Sequence, residues 1–385
     1  MTESEMKALL PTGLADLLPP DADHEEAITR CLMDCFRDYG YWRVKPPLLE
    51  FEDGLIDGVG AILANQTFRL MDPESQRMLG LRADITPQIA RITSSRLAAA
   101  PRPLRLCYAG EVLRLKGNQM RAERQFRQIG VELIGSAHAA TGDAEVIVLA
   151  AEALAAVGID QLSIDLNIPS LARILCDAMG VAPAILARLQ GAIDRKDVAA
   201  LIELGPADDI AEAAQTLARL LEATGPAEEG LALLAALELP GEADALITRL
   251  SEVVDLVRAN APTLALTIDP LESRGFAYHT GVSFTLFAVS ARGEVGSGGR
   301  YKTTGGEPAT GFTLFTDRVL RASPDADQTP AVFVPFEAPV DAAATLRGDG
   351  RIVIKGLVAA DDDAEEARRL GCAYLWRNGT LEHME

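Results

Sequence analysis

Basic residues are scarce in this 385-residue chain: 36 Lys+Arg stand against 56 Asp+Glu, a formal charge of -20 at pH 7. A broad acidic excess repels phosphate backbones at long range, so gripping nucleic acid is disfavoured unless a local basic groove is built. Cysteine is scarce too, and Cys31, Cys35, Cys107, Cys176 and Cys372 form an odd, scattered set. Only the first two sit four residues apart, as on one helix face, so neither a disulfide framework nor a metal site is expected and the thiols read as small hydrophobes. Long apolar runs are missing. The most apolar tract, 146–157, carries Glu152 and is too short to cross about 30 Å of hydrocarbon. The opening MTESEMKALL has no basic stretch followed by an apolar one, so no signal peptide is read and a cytoplasmic location is expected. No internal repeat stands out.

What is present is an ordinary globular composition, 48% hydrophobic and 24% charged. At roughly 150 residues per domain the length suggests two or three domains. Apolar positions at helical spacing (Ile28, Leu32, Cys35, Phe36) predict a helix over 23–38, ended by Gly40. Residues 41–49 read as a strand whose Pro46 and Pro47 keep it from the middle of a sheet. An antiparallel hairpin follows over 67–71 and 78–81, a helix starts near Thr86, and a second antiparallel pair spans 104–113 and 125–134. Residues 167–263 turn Ala- and Leu-rich with Gly and Pro at the breaks, which predicts an inserted helical subdomain. Strands resume at 264–268, 282–288 and 311–315, with a helix at 317–321. After a polar linker the last 55 or so residues, from about 331, alternate strand, helix, strand, helix, strand.

The pair of strands around 104–134 carries the first chemistry. Alternation sends Arg114, Gln128, Gly130 and Glu132 toward one another on one sheet face, with the apolar residues between them on the other. Arg offers a planar fork to a carboxylate, and Glu with Gln offers acceptors and donors to an ammonium or imidazole, a set suited to a small zwitterion. A salt-bridged, solvent-facing sheet with no ligand would carry the same residues.

A second set lies far along the chain: Arg274-Gly275-Phe276-Ala277-Tyr278-His279 and Gly298-Gly299-Arg300-Tyr301. Together with a first motif ending in Pro47, a second carrying Arg114 and a third at Gly311 to Arg318, these resemble the class II synthetase core, and specifically histidyl-tRNA synthetase. The likeness covers roughly residues 10–322. It implies an α+β fold: a class II aminoacyl-tRNA synthetase-like antiparallel sheet flanked by helices in 1–322, with the helical insertion at about 167–263. A small C-terminal α/β domain over 328–385 would be a reduced anticodon-binding domain. The resemblance further implies that Asp84, Thr86 and Gln128 surround a ligand's α-amino group, with Arg114 and Arg274 nearer its carboxylate or phosphate side. Glu132, Tyr278 or His279, and Tyr301 would surround an imidazole, making histidine the ligand.

The departures from the synthetase pattern bear on function. Lys116 replaces a Glu that helps hold ATP, and Phe315 stands where a Gly leaves room for it. Asp84 replaces a Glu, and His279 a Tyr. A histidine-synthetase-like core so altered, with a reduced tail, is similar to the family of ATP phosphoribosyltransferase regulatory subunits. That resemblance implies no catalytic residues, no cofactor and no metal of its own, and no tRNA or membrane partner. It implies a homodimer within a larger hetero-oligomer, a short-form catalytic subunit that joins ATP to phosphoribosyl pyrophosphate as partner, and histidine as feedback effector at the first step of histidine biosynthesis. Its dimer contact would use residues 23–49 and bury Tyr41, Trp42 or Leu48. A divergent histidyl-tRNA synthetase or histidine-activating ligase is the alternative enzyme reading, and a scaffold binding no small molecule is a third.

Overall fold

The structure, a computed structural model, describes residues 9–56, 58–117, 122–207, 210–273, 278–325 and 329–384. The chain divides into two compact units, 1–324 and 325–385.

Helix α1 (Asp21–Asp38) places Ile28, Leu32 and Phe36 against the core and puts Asp21 and Asp23 at its positive N-terminal end. It stops at Gly40, whose φ of +81° lets Tyr41 N–H reach Phe36 O while Gly40 N–H reaches Arg37 O, closing the helix with a Schellman motif. The segment expected as one strand over 41–49 is two. β1 (Trp42–Arg43) pairs in parallel with the strand at Leu106–Cys107, then Pro46 and Pro47, lacking N–H donors, end the pairing. β2 (Leu49–Phe51) joins β3 (Arg69–Met71) and β4 (Met78–Leu81) in a small sheet of order β2-β4-β3. Helix α2 (Glu52–Ile56) and a 3-10 segment (Gly58–Gln66) connect them, and α3 (Thr86–Ser94) begins with Pro87 in its first turn.

The main sheet holds β1, β5 (Leu104–Leu113), β6 (Gln125–Ile134), β7 (Leu162–Asn167), a two-residue β8 (Gly225–Pro226), β9 (Ala265–Ile268), β10 (Ser283–Ala288), β11 (Glu294–Lys302) and β12 (Pro308–Phe315). Its order is β1-β5-β6-β12-β11-β10-β7-β9-β8, antiparallel except for β1 with β5 and β7 with β9. One face is apolar: Cys107, Ile129, Val131, Phe312 and Leu314 join a large core with α1 and with α4 (Ala139–Ala156). The apolar tract at 146–157 is thus a helix hydrophobic nearly all round because it is covered on most sides. The other face, under α3, holds a separate cluster of Ile85, Ile89, Leu106, Tyr108, Val112, Phe126 and Phe315, and beyond it the polar residues of the site.

Between β7 and β9 the chain runs through α5 (Leu171–Ala178), α6 (Pro183–Asp194), α7 (Val198–Ala207), α8 (Ala211–Glu222), α9 (Ala227–Leu234) and α10 (Gly241–Asn260). Strand β7, ahead of this insertion, and the first part of β12 escaped the sequence reading, as did β11, whose glycines mask its strand character. A short helix α11 (Thr316–Ala322) closes the unit. In the second unit, β13 (Val332–Val334), β14 (Val353–Lys355), β15 (Tyr374–Arg377) and β16 (Thr380–His383) form a sheet of order β14-β13-β15-β16, with helices α12 (Val340–Gly348) and α13 (Asp363–Arg369). All five cysteines are free; Cys107, Cys176 and Cys372 are buried, Cys31 and Cys35 half-buried. Among the described residues no helix is long and apolar enough to cross a membrane.

Candidate functional site

Register builds the site floor. β6 lies between β5 and β12, with Gly110 opposite Gln128, Tyr108 opposite Gly130 and Leu106 opposite Glu132 on one side, and Phe315, Thr313 and Gly311 opposite the same three on the other. Gln128, Gly130 and Glu132 therefore share one face, as alternation predicts. Two glycines keep that face shallow. A Cβ at Gly311 would lie 2.2 Å from Glu132 Oε2, and one at Gly130 would lie 2.6 Å from the Tyr108 hydroxyl.

The turn into α3 adds the residues above the floor. Asp84 Oδ1 accepts from Thr86 N–H at 2.9 Å, and its Oδ2 accepts from Gln128 Nε2 at 2.8 Å. Gln128 Oε1 in turn accepts from Ile85 N–H at 3.0 Å, so the fully buried amide is oriented by its neighbours. The Thr86 hydroxyl donates to Glu132 Oε1 at 3.0 Å, and Tyr301 donates to Glu132 Oε2 at 2.9 Å. Burial pushes the Glu132 carboxyl up to about 8, the two hydrogen bonds pull it down by less, and the Asp84 charge raises it further.

Arg114 lies one residue past β5. It donates to Ala83 O at 3.3 Å, stands 3.8 Å from Asp84 Oδ2, and lies over the Phe126 ring at 5.1 Å. Phe126 corrects one expectation: it lies opposite Val112 on the Gln128 face, so the apolar residues do not all point away. At the far end, Tyr278 stacks on His279 with ring centroids 4.0 Å apart and meets Tyr301 edge-on at 6.0 Å. Burial pushes the Tyr278 and Tyr301 hydroxyls well up, so both remain protonated donors. The structure thus brings together Asp84, Thr86, Arg114, Gln128, Glu132, Tyr278, His279 and Tyr301. Arg274 lies outside the described residues.

Sequence reasoning missed Tyr108 and Thr313, whose hydroxyls are 2.7 Å apart beneath the glycines, although Tyr108 is two residues before Gly110 on the same strand face. Arg318, the last residue of the third motif, is no solvated surface charge: its side chain is buried, and its Nη1 donates to Glu294 O at 2.8 Å. Lys116 is exposed. Phe315 packs edge-on against Phe126, ring centroids 6.0 Å apart, and so fills space beside Arg114. Tyr41, expected at a dimer contact, is already buried within the chain and donates to Glu145 Oε1 at 2.9 Å, whereas Trp42 is 78% and Leu48 46% exposed.

The chain is similar to known proteins along nearly its whole length. The family model described as histidyl-tRNA synthetase matches residues 13–319. An ATP phosphoribosyltransferase regulatory subunit from Rhodospirillum centenum is 51% identical over 384 residues, 99% of this chain and 98% of the relative. One of the same description from Paramagnetospirillum magneticum is 51% identical over 383 residues, covering 99% of this chain and all of the relative. Among solved structures, one described as an ATP phosphoribosyltransferase regulatory subunit/histidyl-tRNA synthetase from Bacillus halodurans superposes with a TM-score of 0.80 at 25% identity, covering 94% of this chain and 96% of that one.

Proposed function

Because the chain belongs to the histidyl-tRNA synthetase-like family of ATP phosphoribosyltransferase regulatory subunits, we propose that it is the histidine-sensing partner of a short-form catalytic subunit at the first step of histidine biosynthesis. The observation that carries the reading is Glu132, buried and held by Thr86 and Tyr301 at the end of a polar run that starts at Asp84. Asp84, Thr86 and Gln128 suit an ammonium, Arg114 and Arg274 a carboxylate, and Glu132 with Tyr278, His279 and Tyr301 an imidazole. One proton between Glu132 and the imidazole completes their hydrogen bond whichever partner owns it.

The chain itself is non-catalytic in this reading, and the glycosyl transfer belongs to its partner. Phe315 against Phe126 and the exposed Lys116 support that, since both occupy or recharge the place of a nucleotide. Residues 1–322 act as the sensing core, with the insertion at 167–263, and 328–385 as a reduced anticodon-binding-like domain that reads no tRNA. The protein works in the cytoplasm as a homodimer within a larger hetero-oligomer, with exposed Trp42 and Leu48 available to a two-fold contact. Histidine controls the complex by binding one of its states better than another, because equal affinity shifts nothing.

Mixing the chain with a short-form catalytic subunit and assaying phosphoribosyl transfer with and without histidine tests this. Stimulation by the chain and inhibition by histidine are expected, with the inhibition weakened by Glu132→Ala while the complex still assembles. A complex indifferent to histidine, with no histidine binding by calorimetry, would sink it.

A further inference from the structure

Behind the wall formed by His279 and Tyr301 lies a cleft of about 490 Å³ that the histidine pocket does not use. It is enclosed by the end of β11, the entry to α4, and the helices α5 and α10 of the insertion. Four cationic side chains line it, Arg173, Arg249, Arg300 and Lys302, against one carboxylate, Glu242. In a chain of charge -20 that is a local excess of positive side chains, and a concave wall focuses the field of such an excess.

The four cations are not equally committed. Arg300 is buried and tied to Asp143 of α4 at 2.8 Å, and Arg173 pairs with Asp177 at 3.1 Å along its own helix. Arg249 feels the Asp143 charge at a distance, and neither it nor Lys302 has a hydrogen bond or ion pair among the described residues. Ser170, the N-cap of α5, also lines the cleft; its hydroxyl makes no capping bond and has no hydrogen-bond partner among the described residues. The N-terminal end of α5, where a helix carries partial positive charge, thus borders the cleft through Ser170, Arg173 and Ile174. The volume suits a small molecule rather than a strand. The adjoining cavity, which shares Arg249, is lined by Glu252 and Asp255, so an extended polyanion leaving the cleft on that side would meet like charge.

We propose that this cleft binds a compact phosphate-bearing small molecule, with Arg249 and Lys302 as its main cationic contacts. The site is separate from the pocket of Glu132 and shares with it only the wall of His279 and Tyr301, so its test needs neither histidine nor a catalytic subunit.

The experiment is calorimetric titration of the full chain with inorganic pyrophosphate at low ionic strength, with parallel arms using ribose 5-phosphate and AMP to separate an inorganic from an organic source. Saturable binding is expected in at least one arm, weakened about tenfold by Arg249→Gln and by the exposed Lys302→Ala, and unchanged by Arg219→Ala on α8. Thermal midpoints matching the parent show that the variants are folded, and Lys302→Ala decides the matter if Arg249→Gln does not fold. The proposal is overturned if no arm gives saturable heat, if both cleft variants bind like the parent, or if a short single-stranded RNA binds more tightly than every small phosphate. Histidine titrated separately into the same samples reports on the Glu132 pocket, so failure of one site is distinguishable from failure of the other.

Discussion

Replacing Glu132 by Gln should change how the stability of the chain depends on pH. In the unfolded chain the carboxyl titrates at its ordinary value of 4.5, whereas burial holds it near 8 in the fold. The folded chain thus retains a proton that the unfolded chain releases. The stability associated with the neutral carboxyl is fully present below pH 4.5, declines as pH rises, and is gone above about 8. Each pH unit in that window costs about 1.4 kcal/mol, on the order of 5 kcal/mol over the whole of it. The amide of Glu132→Gln mimics the neutral acid, since its oxygen can accept from Tyr301 and its nitrogen can donate to the Thr86 hydroxyl. It does not titrate. Urea unfolding of parent and variant, followed by circular dichroism at a series of pH values, reads the difference. Whatever the offset at low pH, the variant should gain on the parent by about 1.4 kcal/mol per unit from about pH 5 and level off near 8. A difference that stays flat across the window refutes the reasoning, because Glu132 would then ionise in the fold as it does in water.

Histidine binding by calorimetry should weaken by about 1 to 3 kcal/mol in Gln128→Ala, which leaves Asp84 and the Ile85 amide without their partner, and histidinol should bind less well than histidine for want of a carboxylate. Pyrophosphate exchange with ATP and histidine should stay at background; exchange that depends on histidine and disappears in Arg274→Ala would instead indicate a histidine-activating ligase. Sedimentation at micromolar concentration should give at least a dimer, shifted toward monomer by Trp42→Asp, and a monomeric parent would remove the two-fold contact from the proposal.

The elements legible in the sequence were those with strong local signals. Helix α1 was readable from its apolar spacing and Gly40, and the β5–β6 pair from alternation and a polar loop. Gln128 and Glu132 shared a face simply because strands repeat every two residues. What resisted was whatever depends on the third dimension. β11 is rich in glycine where its flanking strands leave no room, a Cβ at Gly298 lying 2.3 Å from Gly311 O of β12 and 2.6 Å from the Phe284 ring of β10, so its composition reads as a loop. Pairing of Tyr108 with Thr313 joins residues 205 apart in sequence. The cationic cleft draws on α5, α10 and β11, each of which alone shows only a solvated charge.

Gly311 and Gly130 have a consequence for genetics. Each is one nucleotide change from Ala whichever glycine codon is used, and a side chain at 311 meets both the Val131 carbonyl, at 2.3 Å, and the Glu132 carboxylate. Such an allele presses on backbone as well as on the carboxylate, since a Cβ at 130 would also lie 2.2 Å from the Phe312 carbonyl, so the β6–β12 pairing and the proposed histidine pocket are disturbed together. On the proposed reading, a growing culture challenged with a toxic histidine mimic would favour cells whose complex assembles yet no longer responds to histidine. Such isolates should carry lesions at the codons of the pocket side chains, and rarely at these two glycines, where the sheet itself is disturbed.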